Sequence, residues 1–281
     1  MKTLTSKKIY IFFIFLLIIT YLRSPDLFNQ GRFWGEDGSV FFQNALNNTF
    51  LDNFFKIYTP TLGYYNLFPR LVSFISSKFI LELAPLVNVY MSYLILIYIF
   101  FLVLFNESYI YKKNIEKFSY CLLVVICPTF VPEIWLNSVN SQIYLSVAAI
   151  FILYLKDNLN LIFKYLNSII LFIGGFSSVY VFFLTPFFFI KYRLSKNRHN
   201  LINLSILLIS LIFQLIFYIY SKFTSQMISR DVLELNYEYL IYFIYNTFAK
   251  LFFPKVILIN LYSYFINIKI LIFGILLILF M

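Results

Sequence analysis

Long apolar runs alternate with short polar segments along the whole chain. The runs cover residues 9–22, 71–105, 118–131, 143–155, 165–190, 201–220 and 256–281. They lack the residue-by-residue alternation of barrel strands, so the pattern predicts helices, each pairing its own backbone polar groups within the membrane. A bilayer core takes about 20 helical residues. The first run is shorter, and Tyr10 and Tyr21 at its flanks extend it into the headgroup zone. The second breaks near "LELAP", where Pro85 is placed to start the main span. The fifth carries basic residues at both ends, and dividing it at "GGFSS", residues 174–178, yields two short helices meeting at an outer turn. The expected fold class is all-α: a polytopic transmembrane helical bundle of about 8 spans, a single domain over residues 1–281.

Polar positions set the topology. One alternate set of inter-span segments holds Lys2, Lys7, Lys8, Lys112, Lys113, Lys117, Lys156, Lys164, Lys191, Arg193, Lys196 and Arg198 against Glu107, Glu116 and Asp157, a net +9. The other set holds Arg23, Arg32, Lys56, Arg70, Lys222, Arg230, Lys250 and Lys255 against Asp26, Glu36, Asp37, Asp52, Glu133, Asp231, Glu234 and Glu238, a net of zero. Lys and Arg collect on the cytoplasmic side of membrane proteins, so the N-terminus is expected there and residues 23–70 outside. The overall +10 then reports topology, and nucleic acid is not an expected partner.

Composition agrees with the pattern. The chain is 62% hydrophobic and only 12% charged, with a mean hydropathy of +0.84, which leaves too few polar residues to cover a soluble surface. Its heavy use of Phe, Tyr, Ile, Asn and Lys has the look of an AT-rich genome, which weakens inference from any single aromatic. Cys121 and Cys127 fall in one apolar run without metal-ligand company and read as buried free thiols. The charged start before residue 9 resembles a signal peptide with no small-residue cleavage site, hence an uncleaved signal anchor. The expected location is that of an integral protein of the inner (plasma) membrane of a bacterium. The closing "ILLILFM" has no cation or polar tail, as expected of a fragment or of a form lacking its C-terminal part.

The outer segments hold the candidate chemistry. In "RFWGEDGSVFFQNALNN", Glu36 and Asp37 sit side by side between Gly35 and Gly38, with Trp34 beside them as a headgroup anchor. Adjacent helical residues point about 100° apart, so the two acids form no shared-proton pair. One can face a substrate while the other caps the next helix; Asp37 or Ser39 is suited to that cap. Phe42, Ala45, Leu46, Thr49 and Phe50 recur at helical spacing opposite Gln43, Asn44, Asn47 and Asn48, the pattern of a helix lying in the interface plane. Arg70 stands at the outer start of a membrane helix, where it either snorkels or holds a phosphate. The loop "PEIWLNSVNSQ", residues 132–142, offers Glu133, Asn137, Asn140 and Gln142. Glu133 can instead be a helix-start acid favoured by the dipole.

A first span, an outer loop with the acidic pair of "WGEDG", interfacial helices, the run "GYYNLFPR" at residues 63–70 and a second outer loop with an acid and amides together resemble the GT-C superfamily of membrane glycosyltransferases, over about residues 1–190. The resemblance implies an inverting hexosyltransferase of cell-envelope polysaccharide. Such an enzyme moves a sugar from a polyprenyl-phosphate carrier to a glycan, lipid or protein acceptor on the outer face. It implies Asp37, or failing it Glu36, as the base that deprotonates the acceptor. Arg70, Glu133, Asn137, Asn140, Gln142 and Trp34 follow as substrate-binding residues. No cofactor is implied, although some members use a divalent metal. Members usually carry more spans and often a soluble C-terminal domain. Two other readings stand beside this one: a lipid-linked glycan flippase or transporter subunit, and a non-catalytic remnant of such an enzyme. A transporter calls for ionisable residues inside the spans, whereas Lys78, Glu82 and Lys269 lie near span ends or breaks.

Overall fold

The computed structural model describes residues 6–55, 64–126 and 135–223. The chain divides into two compact units, Met1–Ile228 and Ser229–Met281, and every described residue lies in the first. Among the described residues the fold is all-helical, with a single β-bridge between Ser108 and Leu155.

Helix α1, Ser6–Arg23, is followed by the short α2, Pro25–Gln30. A π-helical turn, Asp37–Phe42, runs directly into α3, Gln43–Asn47, and α4 spans Phe50–Phe55. The expected single interfacial helix is therefore broken at Asn48, whose backbone is extended. Thr49 restarts it: its hydroxyl accepts from the Asp52 amide at 3.3 Å, an N-cap contact, and donates to Asp52 Oδ2 at 2.7 Å. Phe41, Phe42 and Ala45 are buried, whereas Leu46 and Phe50 face outward.

Helix α5, Leu67–Ser76, packs on the π turn, on α3 and on α4. Helix α6, Ala84–Phe105, begins at Pro85 as expected and forms the centre of the bundle. Its Leu96, Ile99, Phe100 and Val103 share one core with Leu145, Ala148 and Ile152 of α8, Ser141–Tyr154. Helix α7, Asn114–Ile126, runs antiparallel to α6, because Lys117 Nζ near its start reaches Leu104 O and Asn106 O at the end of α6. Ring contacts of Tyr10 with Phe105 and of Phe13 with Phe101 set α1 antiparallel to α6 as well.

Helices α9, Leu161–Ser177, and α10, Val179–Phe182, turn by 114° at Ser178, and α11, Thr185–Ser195, continues the second limb. The division falls at the serines. The Ser178 hydroxyl accepts from the Tyr180 amide at 3.2 Å and lies 2.8 Å from Ser146 Oγ, while Ser177 Oγ accepts from the Phe68 amide at 2.8 Å. The two glycines serve packing instead of the turn. A Cβ on Gly175 would lie 2.3 Å from Ser210 Oγ and 2.8 Å from Ser210 Cβ on α12, Arg198–Phe223.

Among the described residues two helices, α6 and α12, are long and apolar enough to cross a membrane, or three spans if the bent pair α9–α11 is one. Ile209, Ile212, Ile216 and Ile219 on α12 remain exposed, which suits a lipid-facing surface. The remaining expected spans correspond to shorter helices, and the last of them, residues 256–281, lies outside the described residues. The charge pattern becomes spatial. The ends of α6 and α8 meet where the Tyr109 amide donates to Tyr154 O and the Lys156 amide to Glu107 O, each at 3.0 Å. Lys191 Nζ donates there to Ile152 O at 3.1 Å and to Leu155 O at 2.8 Å, so lysines from α7 and α11 cap the C-termini of α6 and α8.

Gly175→Ala is expected to force α9 and α12 apart, since Ser210 Cβ is fixed to its backbone, and to cost about 1–3 kcal/mol. The check is the thermal midpoint of the detergent-purified protein, with Ser210→Gly in the same chain expected to recover most of the loss.

Candidate functional site

The site begins with two glycines. Gly31, at φ +66°, ends α2, and its missing Cβ would lie 2.4 Å from Leu86 N, so only glycine lets α2 dock against the start of α6. Gly35, at φ +48°, then reverses the chain. The Asp37 amide donates to Trp34 O at 3.0 Å, and Asp37 opens the π turn with its side chain fully buried.

The residues that meet it come from about a hundred positions later. Ser138 Oγ donates to Asp37 Oδ1 at 2.5 Å, and the Val139 amide donates to the same oxygen at 3.2 Å. Asn137 shapes this loop: its Oδ1 accepts from the Asn140 amide at 2.9 Å, and its carbonyl accepts from the Ser141 amide at 2.9 Å and hydroxyl at 2.7 Å. Leu136 holds φ +50°, a left-handed backbone that leucine rarely adopts, maintained because its side chain is buried. The carboxylate thus sits at the N-terminus of α8, where the helix dipole favours an anion.

Burial pushes the Asp37 carboxyl up to about 6, while hydrogen bonds from Ser138 and Val139, with smaller help from the Trp34 backbone and the Asn88 side chain, oppose the rise. Asp37 forms no ion pair among the described residues. Its Oδ2 is buried and has no hydrogen-bond partner there. Asn88, on the second turn of α6 and 1% exposed, lies close enough to favour the carboxylate, although neither of its amide atoms makes a hydrogen bond of normal geometry.

The other expected residues divide. The expected cap does not form: Ser39 Oγ donates back to Gly35 O at 3.0 Å, and Asp37 turns to the second loop. Glu36 is half-buried and makes no side-chain cap. Trp34 is 37% exposed, with the Arg32 guanidinium 4.8 Å from its ring. Arg70 is fully buried on α5. Its Nη1 donates to Asn53 O at 2.9 Å, Asn53 Nδ2 donates to Arg70 O at 3.1 Å, and its guanidinium lies 4.6 Å from the Tyr65 ring. Gln142 Nε2 reaches Tyr64 Oη at 3.5 Å, and Asn140 borders the turn into α8. Glu133 lies outside the described residues. Among the described residues no cluster of three or more His, Cys, Asp or Glu could hold a metal ion.

Ser138 and Asn88 are the additions. Ser138 carries no signal in the sequence, since nothing local tells one loop serine from another. Asn88 does: an amide inside an apolar run needs a partner or a purpose. Beside Tyr65, an apolar cavity of about 610 Å³ opens between α4, α5, α9 and α12, lined by Phe50, Phe54, Phe176, Phe213 and Phe217 among others.

The raised Asp37 means that the folded state holds a proton more tightly than the unfolded chain does. The stabilisation this proton gives is fully present below about pH 4, where both states are protonated, and is lost as pH rises through about 6. Asp37→Asn is therefore expected to stabilise the folded protein by about 3 kcal/mol at neutral pH, with the gain shrinking below pH 6. Thermal midpoints of both proteins from about pH 4 to pH 8 check this. Comparison with known protein families, with curated proteins and with solved structures finds no match to this chain.

Proposed function

We propose that this protein is a membrane glycosyltransferase that moves a sugar from a polyprenyl-phosphate carrier to a hydroxyl-bearing acceptor on the outer face, with Asp37 as general base. The observation that carries the reading is a buried carboxylate anchored through one oxygen by Ser138 and Val139, with its other oxygen making no hydrogen bond of normal geometry among the described residues. A base poised near 6 is mostly ionised at neutral pH yet still able to take a proton, the balance that general-base catalysis favours.

In the proposed step the acceptor oxygen attacks the anomeric carbon from the side opposite the phosphate. The carbon–oxygen bond to phosphate breaks, its electron pair leaves with the polyprenyl phosphate, and the acceptor proton passes to Asp37 Oδ2. A single displacement inverts the anomeric centre. The aromatic cavity beside Tyr65 suits an isoprenoid chain, because such chains gain most from apolar burial. Arg32, half-buried with its guanidinium beside the Trp34 ring, is the cation this reading assigns to a headgroup-level phosphate. The same reading places the chain in a bacterial inner membrane with a cytoplasmic N-terminus, supported by the gathering of Lys112, Lys113, Lys156, Lys191 and Lys196 where α6, α8 and α11 end.

The test is sugar transfer in membranes, supplied with a mixed pool of polyprenyl-phosphate sugars. Wild type is expected to transfer, with kcat/KM rising as pH increases through about 6 and then levelling. Asp37→Asn is expected to lose about 10²–10⁴-fold while inserting normally. Equal transfer by both proteins would remove Asp37 from the chemistry.

A further inference from the structure

The loop that supplies Ser138 and Val139 is anchored on both sides. On one side the Asn137 side chain and carbonyl bond the residues that open α8. On the other stands Trp135, 2% exposed, with the Arg23 guanidinium 3.7 Å from its ring centre and the Tyr144 ring edge-on at 6.4 Å. Arg23 is the last residue of α1 and also donates to Val125 O near the end of α7. One cation thus ties α1 and α7 to one aromatic ring, a task that suits a guanidinium because its flat face stacks while its edge donates. Between the two anchors lies Leu136 at φ +50°. Leucine keeps that left-handed conformation only while its surroundings impose it.

We infer that Arg23 is a positioning residue for Asp37: by clamping Trp135 it keeps Leu136 left-handed, and so presents the Ser138 hydroxyl and the Val139 amide to Asp37 Oδ1. Its consequence for transfer rests on the reading of Asp37 as base. Without the clamp, Leu136 relaxes towards the backbone that leucine prefers, and the two donors leave the carboxylate. Both donors favour the ionised form, so their loss lets burial push Asp37 above about 6. The groups that act on Asp37 are Ser138 and Val139 of the loop, Trp34 of its own turn and Asn88 of α6, none of them charged. Glu36 adjoins it along the chain. Arg70, the charged residue of α5, is turned to Asn53 and Tyr65, and α3 carries no charge.

The test follows the carbonyl stretch of the protonated Asp37 carboxyl by infrared difference spectroscopy of the detergent-purified protein, from about pH 4 to pH 9. Absence of the band in Asp37→Asn assigns it. Wild type is expected to titrate at about 6. Arg23→Gln and Trp135→Leu are each expected to raise the midpoint by about one pH unit, the scale of one lost hydrogen bond to a carboxylate, and the double variant to go no further than either alone. Trp135→Phe, which keeps a ring face, is expected to stay close to wild type. A merely structural role would lower the yield of folded protein and leave the midpoint in place. An unmoved midpoint in Arg23→Gln overturns the inference. So does a midpoint that moves in Arg23→Gln but not in Trp135→Leu, since the effect is then one of charge alone. Arg23→Lys, which keeps the charge without the flat stack, replaces whichever variant fails to insert, and an unmoved midpoint there overturns the inference equally. The transfer assay separates the two ideas. A raised midpoint in Arg23→Gln together with undiminished transfer by Asp37→Asn keeps the clamp and removes the base. Loss of transfer by Asp37→Asn with the Arg23→Gln midpoint unmoved keeps the base and overturns the clamp.

Discussion

A helix that ends away from water leaves carbonyls or amides that must still find partners, and this constraint organises the described part of the molecule. Side chains reach across to several of these ends. Lys117 and Lys191 cap α6 and α8, and the Arg23 guanidinium donates to Val125 O near the end of α7. Gln214 of α12 donates to Tyr65 O and to Gly175 O and accepts from the Tyr65 amide, so one amide ties the entry to α5, the end of α9 and α12 together. The Asp37 contact belongs to the same set. At the other end of α8 an acid from far away in the chain accepts the donors that precede the helix. A helix-end partner and the proposed base are here one residue, which accounts for a carboxylate buried with no ion pair among the described residues.

Burial of that carboxylate works against stability and toward reactivity. The low-dielectric surroundings that raise Asp37 would raise it further without the Ser138 and Val139 donors, and a second anchored oxygen would hold it lower. Anchoring one oxygen and leaving the other open divides these demands. The strained backbone at Leu136 lies two residues from the Ser138 donor, and a loop held in that shape is pre-set for the contact.

The helical class, the start of α6 at Pro85, the division of residues 165–190 and the concentration of cations near the ends of α6 and α8 were all legible as hydrophobic pattern and charge placement. These are local or additive signals. Asp37 was singled out by its oddity in a greasy chain, but its partner Ser138 was not, because pairing across a hundred residues leaves no mark in composition or spacing. The glycines at 174 and 175 were taken for a turn, since glycine's freedom and its smallness read alike in sequence; the close approach of Ser210 shows that Gly175 serves by its smallness. Arg70 looked like a free outer cation because its burial depends on Asn53 and Tyr65 folding over it. The interfacial helix was read as continuous because apolar spacing persists through Asn48, whereas Thr49 provides a new cap that periodicity does not register.

The lysines that cap α6 and α8 alter what the basic side presents to its surroundings. Twelve cations were assigned there by position along the chain, yet Lys117 and Lys191 point inward onto carbonyls and Lys156 is engaged by Glu107 at 2.9 Å. Anionic headgroups therefore meet a weaker and more uneven field than the tally of charges implies, strongest around Lys112 and Lys113 and around Arg193, Lys196 and Arg198. Lipid attraction on that side is a property of a few projecting side chains, while the rest of the positive charge acts as internal structure.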